Sequence, residues 1–567
     1  MLKTPRLFAQ AQFQQAFAAL GLDVQYGQVM LSDRPELAHF QCNGALAAAK
    51  AAKTNPRALA EQVVANATHA DYTLTIAGPG FINITFTPAA LARFTQALAT
   101  DARFGHAPTT KPMTIVLDYG GATYCKALHA GHIRPAIIGD SLHRLATYCG
   151  HQVTGDVHVG DWGWPLGACL LGLRQRQISD NDITEELLAE LYPQMSAACK
   201  ADPTLDAAAG DMTMALQRMD DPAIVKTWEK MCAVSREVVE GGYQRLNVVF
   251  DLWRGESTDR ARIPGLIERF KANGLAVASQ GALVIPMENP DEAPLILVKS
   301  NGGYLYGTTD LATLEQRVIE FKPDVIWYVI DHRQSQHCQQ FFSAARRGGL
   351  LGQTQLEHIP FGTMNGPDGK PFKTREGGSV RLKELIKLLA GKATERLANN
   401  TTLTADMVES TAHQLGVATL RFADLSVHHA NNYVFDLDKF CSFEGKTGPY
   451  LQYTAVRIQS MLGKAQAQGL APGALVPPTT ASEAEVMLVL GRFPDVIERA
   501  FAERAPNLIA DQAFALAQAY SRFYNDCHIL TATDATVQAG WLGLSAAVRR
   551  QLVVLLDLLG IEIPVRM

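Results

Sequence analysis

The nine cysteines of this 567-residue chain are scattered, odd in number and form no Cys-x-x-Cys pair. That excludes a disulfide framework and a cysteine zinc site, and predicts reduced thiols in a cytoplasmic protein. No uninterrupted apolar run reaches the roughly 20 residues of a bilayer-spanning helix, so no membrane partner is expected. The opening Met1-Leu-Lys-Thr-Pro-Arg6 holds no apolar signal segment. A net charge of only −5 removes any chain-wide electrostatic argument for nucleic acid and leaves local patches open. No internal repeat occurs, so a repeat array is out. Apolar residues are not short. They make up 47% of the chain, ample for real cores, and the length predicts about three to four domains.

What is present begins at Thr114. Thr114-Ile-Val-Leu-Asp118 reads as a β-strand, followed by a glycine-containing turn and Lys126-Ala-Leu-His129-Ala-Gly131-His132 opening a helix. A second apolar strand leads to His158-Val-Gly160-Asp161-Trp162-Gly163. A strand feeding a helix through His-x-Gly-His predicts a nucleoside-triphosphate site. The glycine admits backbone close to the ligand, and the helix N-terminus offers unpaired N–H groups to phosphate. Two imidazoles three residues apart add donors for charge developing on a transferring group. Capping or core histidines are the plainer alternative.

Three textures divide the chain. Residues 1–108 are Ala-rich and α+β, with the strand-like Gly80-Phe-Ile-Asn83-Ile-Thr-Phe86. Across 109–390 strands alternate with helices, as in a parallel sheet, around a mostly helical insertion at about 170–295. Val325–Ile330 reads as a strand buried on both faces. Residues 391–567 are helical in pattern. The loop 366–378 is rich in glycine and cation, suited to closing over a triphosphate. Gly445-Lys446-Thr447 is not a P-loop, because Phe440 replaces the required upstream glycine.

These motifs, with Tyr306-Gly-Thr-Thr-Asp310, Asp331-His-Arg-Gln334 with His337, and Tyr450-Leu-Gln-Tyr453, resemble class I aminoacyl-tRNA synthetases of the bacterial arginyl type over essentially the whole chain. The resemblance implies a Rossmann-like α/β catalytic core (109–390), an N-terminal α+β tRNA-binding module (1–108) and a C-terminal all-α anticodon-binding bundle (391–567). It implies a monomer that ligates L-arginine to tRNA(Arg) at the expense of ATP. Magnesium is expected with the ATP, without a fixed protein metal site. Rival readings are a divergent paralogue acting on arginine or a guanidino analogue, and a non-catalytic tRNA-binding protein.

Residue by residue, the resemblance gives His129, His132, Lys126, Lys370 and Lys373 to catalysis. It gives Gly131, Gly160, Asp161, Trp162, Gly163, His337, Gly362 and Met364 to ATP. Arginine falls to Asp118, Thr123, Tyr306, Asp310 and Gln334, and a guanidinium does demand carboxylates and neutral acceptors. Tyr306 and Asp310 lie one turn apart if helical, so both can face one cleft. Three departures stand out: Thr123 where the family has asparagine, and Glu376 and Pro367 where it has lysines. Lys370 is the substitute for the lost lysine. Tyr450, Tyr453 and Arg457, at helical spacing, with Tyr524, His528 and Met567, are expected to meet the anticodon by stacking and edge contacts. Asn83 and Phe86 are expected to touch the tRNA D-loop.

Overall fold

The computed structural model describes residues 4–34, 36–366, 368–370, 372, 380–398 and 403–567. They fall into two compact units. One joins Met1–Pro108 with Leu451–Ala502 and Leu508–Leu556, and the other joins Thr109–Tyr450 with Glu503–Asn507 and Asp557–Met567. The three textures of the sequence are thus distributed over two bodies.

The first unit opens with helices α1 (Pro5–Ala19), α2 (Gly44–Ala52), α3 (Pro56–Ala67) and α4 (Pro88–Thr100). Thr4 and Thr87 cap α1 and α4 by accepting from the Leu7 and Ala90 N–H groups, each ahead of a proline in the first turn. Strands β1 (Met30–Leu31), β2 (Phe40–Cys42), β3 (Tyr72–Ala77) and β4 (Phe81–Phe86) form an antiparallel sheet in the order β1-β2-β4-β3.

The second unit is built on a parallel sheet. Its strands are β5 (Thr114–Asp118), β6 (Gln152–Val159), β7 (Leu252–Gly255), β11 (Val325–Asp331) and β12 (Gln355–Phe361), ordered β12-β11-β5-β6-β7. Crossovers run through α5 (Ile133–Tyr148), α6 (Trp164–Gln175), α7 (Glu185–Ala201), α8 (Pro203–Arg218), α9 (Pro222–Arg245), α10 (Ile263–Ala272), α11 (Tyr306–Phe321) and α12 (Ser335–Arg347). Apolar Val325–Val329 are buried in the sheet as expected. The stretch 170–295 is not one insertion. Its residues 252–255 form β7, an integral strand, so α6–α9 are a long crossover between β6 and β7. Only β8 (Val277–Ser279), β9 (Ala282–Ile285) and β10 (Leu295–Val298) make a separate small sheet.

The order reverses between β5 and β11, which were laid down in opposite directions from the sheet centre. That switch point leaves a crevice at the carboxyl ends of both strands, where open α/β sheets bind ligands. Downstream, β13 (Met364–Asn365) pairs with β14 (Tyr433–Val434), and α13 (Leu382–Leu397) and α14 (Ala405–Leu425) pack together before the short α15 (Leu437–Phe440). α14 anchors α5: Arg421 reaches Asp140 and Arg134 reaches Asp424, all four side chains buried.

Helices α16 (Gly448–Ala467), α17 (Ala481–Leu490), α18 (Phe493–Glu503), α19 (Pro506–Asp526) and α20 (Ala535–Leu558) complete the chain. Within the first unit, Arg6 of α1 pairs with Asp495 of α18 at 2.5 Å. α20 is long and apolar enough to cross a membrane by composition, though interrupted by Gln538, Arg549, Arg550 and Gln551, and 56% of its apolar window is buried within the fold. Leu542, Val548, Leu552 and Leu555 are wholly covered, as in a core helix.

Candidate active site

The crevice at the switch point collects most of the singled-out residues. Beyond Asp118 the chain passes through Gly120 and Gly121 at positive φ (97° and 59°), then through Cys125 at φ 62°. A non-glycine residue in the left-handed region is held there by surrounding contacts. The Cys125 N–H donates to Ser235 Oγ of α9 at 3.1 Å. Lys126 follows, its ammonium 4.9 Å from the Tyr192 ring centre.

The two histidines face each other across a 3₁₀ turn, Ala130–His132, that leads into α5. Their rings lie 4.0 Å apart between centroids. The Gly131 N–H donates to His129 Nδ1 at 3.0 Å, and the His129 N–H donates to His132 Nδ1 at 3.2 Å. Each Nδ1 is therefore an acceptor, which leaves the proton of each neutral ring on Nε2. Burial, reinforced by His129 and Lys126, pushes His132 down to about 3. Burial and Lys126 lower His129 as well. Both are neutral donors near pH 7. A Cβ at Gly131 would come within 2.9 Å of the His129 ring, so a larger residue there would make the imidazole shift.

The chain beyond the glycine-rich loop returns to the same turn. Arg381 bridges to His129, and the Leu382 N–H donates to Leu128 O at 2.9 Å. On the near side, Phe372 N–H donates to Met364 O, while Lys370 O accepts from Gly366 and its side chain is exposed. Lys373, Glu376 and Pro367 lie outside the described residues.

Beside Lys126 opens a cavity of about 300 Å³ lined by Thr123, Gly160, Trp162, Gly163, Tyr306 and Glu256, among others. Tyr306 opens α11 and Asp310 stands one turn on. Asp310 Oδ2 lies 2.6 Å from His337 Nε2 on α12, and the His337 ring meets Tyr306 edge-on at 4.5 Å. His337, expected against ATP, pairs here with Asp310. Gln334 is exposed at the end of β11, in the turn that opens α12.

The segment His158–Gly163, expected at ATP, divides between the cavity wall and the interior. Gly160 bridges to Thr123 and forms cavity wall together with Trp162 and Gly163. Trp162 is fully buried, 6.2 Å from the Tyr304 ring. The Asp161 carboxylate is spent inside the fold, accepting from Ser257 N at 2.9 Å and Ser257 Oγ at 2.6 Å. Gly362 turns toward Asn431 and Met364 is buried, leaving only backbone to a nucleotide there.

Asp118 is the clearest correction. Its carboxylate meets not the cavity but the buried Arg317 of α11 at 2.7 Å, and the same guanidinium takes Asp156 at 2.8 Å. Burial pushes Asp118 up while Arg317 pulls it back down. A protein arginine already occupies the partner that the resemblance offered to a substrate guanidinium. Glu256 was missed. It follows β7 directly and lines the cavity. Burial, with Asp310 and Asp161 nearby, pushes its carboxyl up to about 8. The signal is an acid at the carboxyl end of a parallel strand, which the sequence pattern hides because residues 252–255 lie within a mostly helical stretch.

In the first unit, Arg457 stacks 5.6 Å from the exposed Tyr453 ring and 4.8 Å from Tyr524. α19 ends at Asp526, so the exposed His528 does not continue the Tyr524 face. Asn83 is buried and accepts from Gln41 at 2.8 Å. Phe86 is 2% exposed among Phe40, Tyr72 and Phe94, so its ring serves the core and offers no surface to a D-loop. In the second unit, the partly buried Tyr450 accompanies the first turn of α16. Met567 packs on Ala393, Leu397, Ala412 and Leu415, which is a core role rather than an anticodon contact.

A parallel sheet with this switch point, a His-x-Gly-His turn at its crevice and an acidic cavity alongside defines a class I aminoacyl-tRNA synthetase core. Residues 93–437 match the model of the class I (R) tRNA synthetase catalytic domain, 451–567 the DALR anticodon binding domain and 8–86 the arginyl tRNA synthetase N-terminal domain. The chain is 41% identical to an arginine–tRNA ligase of Maricaulis maris over 97% of this chain and 98% of that one. It is 38% identical to the enzyme of that name from Alkaliphilus oremlandii over 97% of both. The solved arginyl-tRNA synthetase of Thermus thermophilus shares the fold at TM-score 0.78 and 21% identity, covering 99% of this chain and 100% of that one. The chain belongs to the arginyl-tRNA synthetase family.

Proposed function

We propose that this chain activates L-arginine with ATP and transfers it to tRNA(Arg). The observation that carries the reading is the cavity itself: Glu256, Tyr306 and Lys126 line it, with Asp310 close enough to Glu256 to act on its charge. A permanently charged planar guanidinium satisfies such acids. The α-carboxylate then attacks the α-phosphorus, forming the acyl–phosphate bond as the bond to pyrophosphate breaks. His129 and His132 donate Nε2–H to the oxygens on which charge grows, and Lys126, Lys370 and Lys373 neutralise the phosphates. Gly131, Gly362 and the backbone of Met364 let the nucleotide approach. Magnesium would accompany ATP as its counter-ion. Tyr453, Arg457 and Tyr524 offer stacking faces to unstacked anticodon bases, with Tyr450 and His528 as further contacts. The nine free cysteines suit a reducing cytoplasm, and the resemblance suggests a monomer.

Charging a tRNA pool with each amino acid and with guanidino analogues tests this reading, and arginine alone should be esterified efficiently. ATP–pyrophosphate exchange with arginine should be near background without tRNA and rise sharply with tRNA(Arg). That stimulation should weaken in Tyr453→Ala. Robust exchange without tRNA would favour a tRNA-independent paralogue.

His132→Ala should slow adenylate formation by about 10²–10³ while ATP and arginine affinities hold, because the Nε2–H bond tightens only as phosphate charge builds. Since His132 titrates near 3, the single-turnover rate of the native enzyme should show no step from this residue between pH 6 and 8. A variant with normal single-turnover rate and weak ATP binding would place the imidazole on the ground state instead.

A further inference from the structure

Glu256 lines the small cavity and Asp310 stands near enough to act on its charge, yet the structure treats the two acids unequally. Asp310 has His337 Nε2 at 2.6 Å. Among the described residues Glu256 has no hydrogen-bond donor, and one carboxyl oxygen stands only 3.7 Å from where a Cβ on Gly163 would sit, hard against the wall. The charged and titratable groups around it come from every wall. Lys126 follows the first strand, Asp161 the second, Lys299 lies in the loop after β10, Tyr306 and Asp310 are on α11, and His337 stands behind Asp310 on α12. Lys126 favours ionisation of Glu256; Asp310 and Asp161 oppose it, and burial opposes it most. Two acids cannot both stay charged at low cost in a partly dehydrated pocket without a cation between them.

Resting on the arginine reading of this cavity, we propose that Glu256 carries a proton while the pocket is empty and releases it when the guanidinium enters. The entering group cannot itself give up a proton, since it stays charged throughout the accessible pH range. Its arrival supplies the missing cation, the carboxyl ionises, and the proton leaves to solvent. Each bound arginine thus exchanges for one proton. The cavity gains a selectivity that depends on charge as well as shape: a neutral ureido analogue of the same outline triggers no ionisation and meets a protonated acid.

The elevation of Glu256 to about 8 sets the expected pH window. The sign is fixed by linkage. A group that is protonated free and ionised in the complex makes binding tighten as pH rises and level off above the free-state value. Between pH 6 and 7 arginine affinity should rise about tenfold, and the gain should fade by pH 8.5. Calorimetric titration of the full chain with L-arginine, in buffers of differing ionisation enthalpy, counts the protons directly. About 0.9 proton should leave per arginine at pH 7 for a group titrating near 8. The count should decline through pH 8, and Glu256→Gln should release almost none. If that variant binds too weakly to titrate, the wild-type pH series decides alone. Arginine binding with no proton release across pH 6.5–8, or undiminished release from Glu256→Gln, overturns the coupling and leaves the substrate reading standing. Absence of any arginine binding overturns both.

Discussion

Asp310→Asn should raise the Michaelis constant for arginine roughly 30- to 4,000-fold while that for ATP stays within a few-fold. The range corresponds to the roughly 2–5 kcal/mol lost when one partner of a buried charge pair is removed and the other is left without compensation. Asparagine keeps the shape of the side chain but turns a donor-bearing amide toward a group that only donates. The same change removes the negative charge that faces His337 at 2.6 Å. His337→Ala separates the two causes, because it frees His337 from the account and leaves the carboxylate in place. Titrating arginine and ATP independently in both variants is the measurement. A flat arginine constant in Asp310→Asn would make Asp310 a structural partner of His337 and remove it from the pocket.

Arg317→Met should destabilise the catalytic sheet by about 3–5 kcal/mol. Arg317 is fully buried and joins Asp118 of β5, Asp156 of β6 and its own helix α11. Removing the cation leaves two carboxylates buried at adjacent positions in the parallel register, Asp118 directly opposite Asp156. A buried charge stripped of its partner costs about this much, whereas removing the whole cluster together is nearly neutral. Hydrogen exchange over β5, β6 and α11 should therefore show a large fall in opening free energy for Arg317→Met. Much of it should return in the triple variant that adds Asp118→Asn and Asp156→Asn. An unchanged exchange pattern in the single variant would mean that the cluster contributes nothing net. Because α11 also carries Tyr306 and Asp310, its loosening should reach arginine binding before it reaches ATP.

Much of the chemistry was written locally. His-x-Gly-His after a strand required only neighbouring residues, since one glycine lets the rings fold onto each other and a helix begins at once. Tyr306 and Asp310 followed from helical period, and the apolar run at 325–330 from burial on both faces. Each depends on the chain within a few residues of itself, which is why it was legible without a fold.

What the sequence could not reveal was the partner of each charge. Asp118 ends a strand as a ligand-binding acid would, but α11 returns almost 200 positions later and brings Arg317 to it. Asp161 looks free in a glycine-flanked loop until the turn after β7 presents Ser257. Phe86 and Asn83 look like surface groups until an antiparallel register turns one into the core and pairs the other with Gln41. Glu256 is an unremarkable acid until parallel pairing of β7 with β6 sets it at the rim of the cavity. Periodicity and glycine placement are short-range properties and act through the backbone itself. Whether a carboxylate binds substrate, holds a proton or braces the sheet depends on which cation lies within a few ångströms, and only the folding of distant segments onto one another decides that.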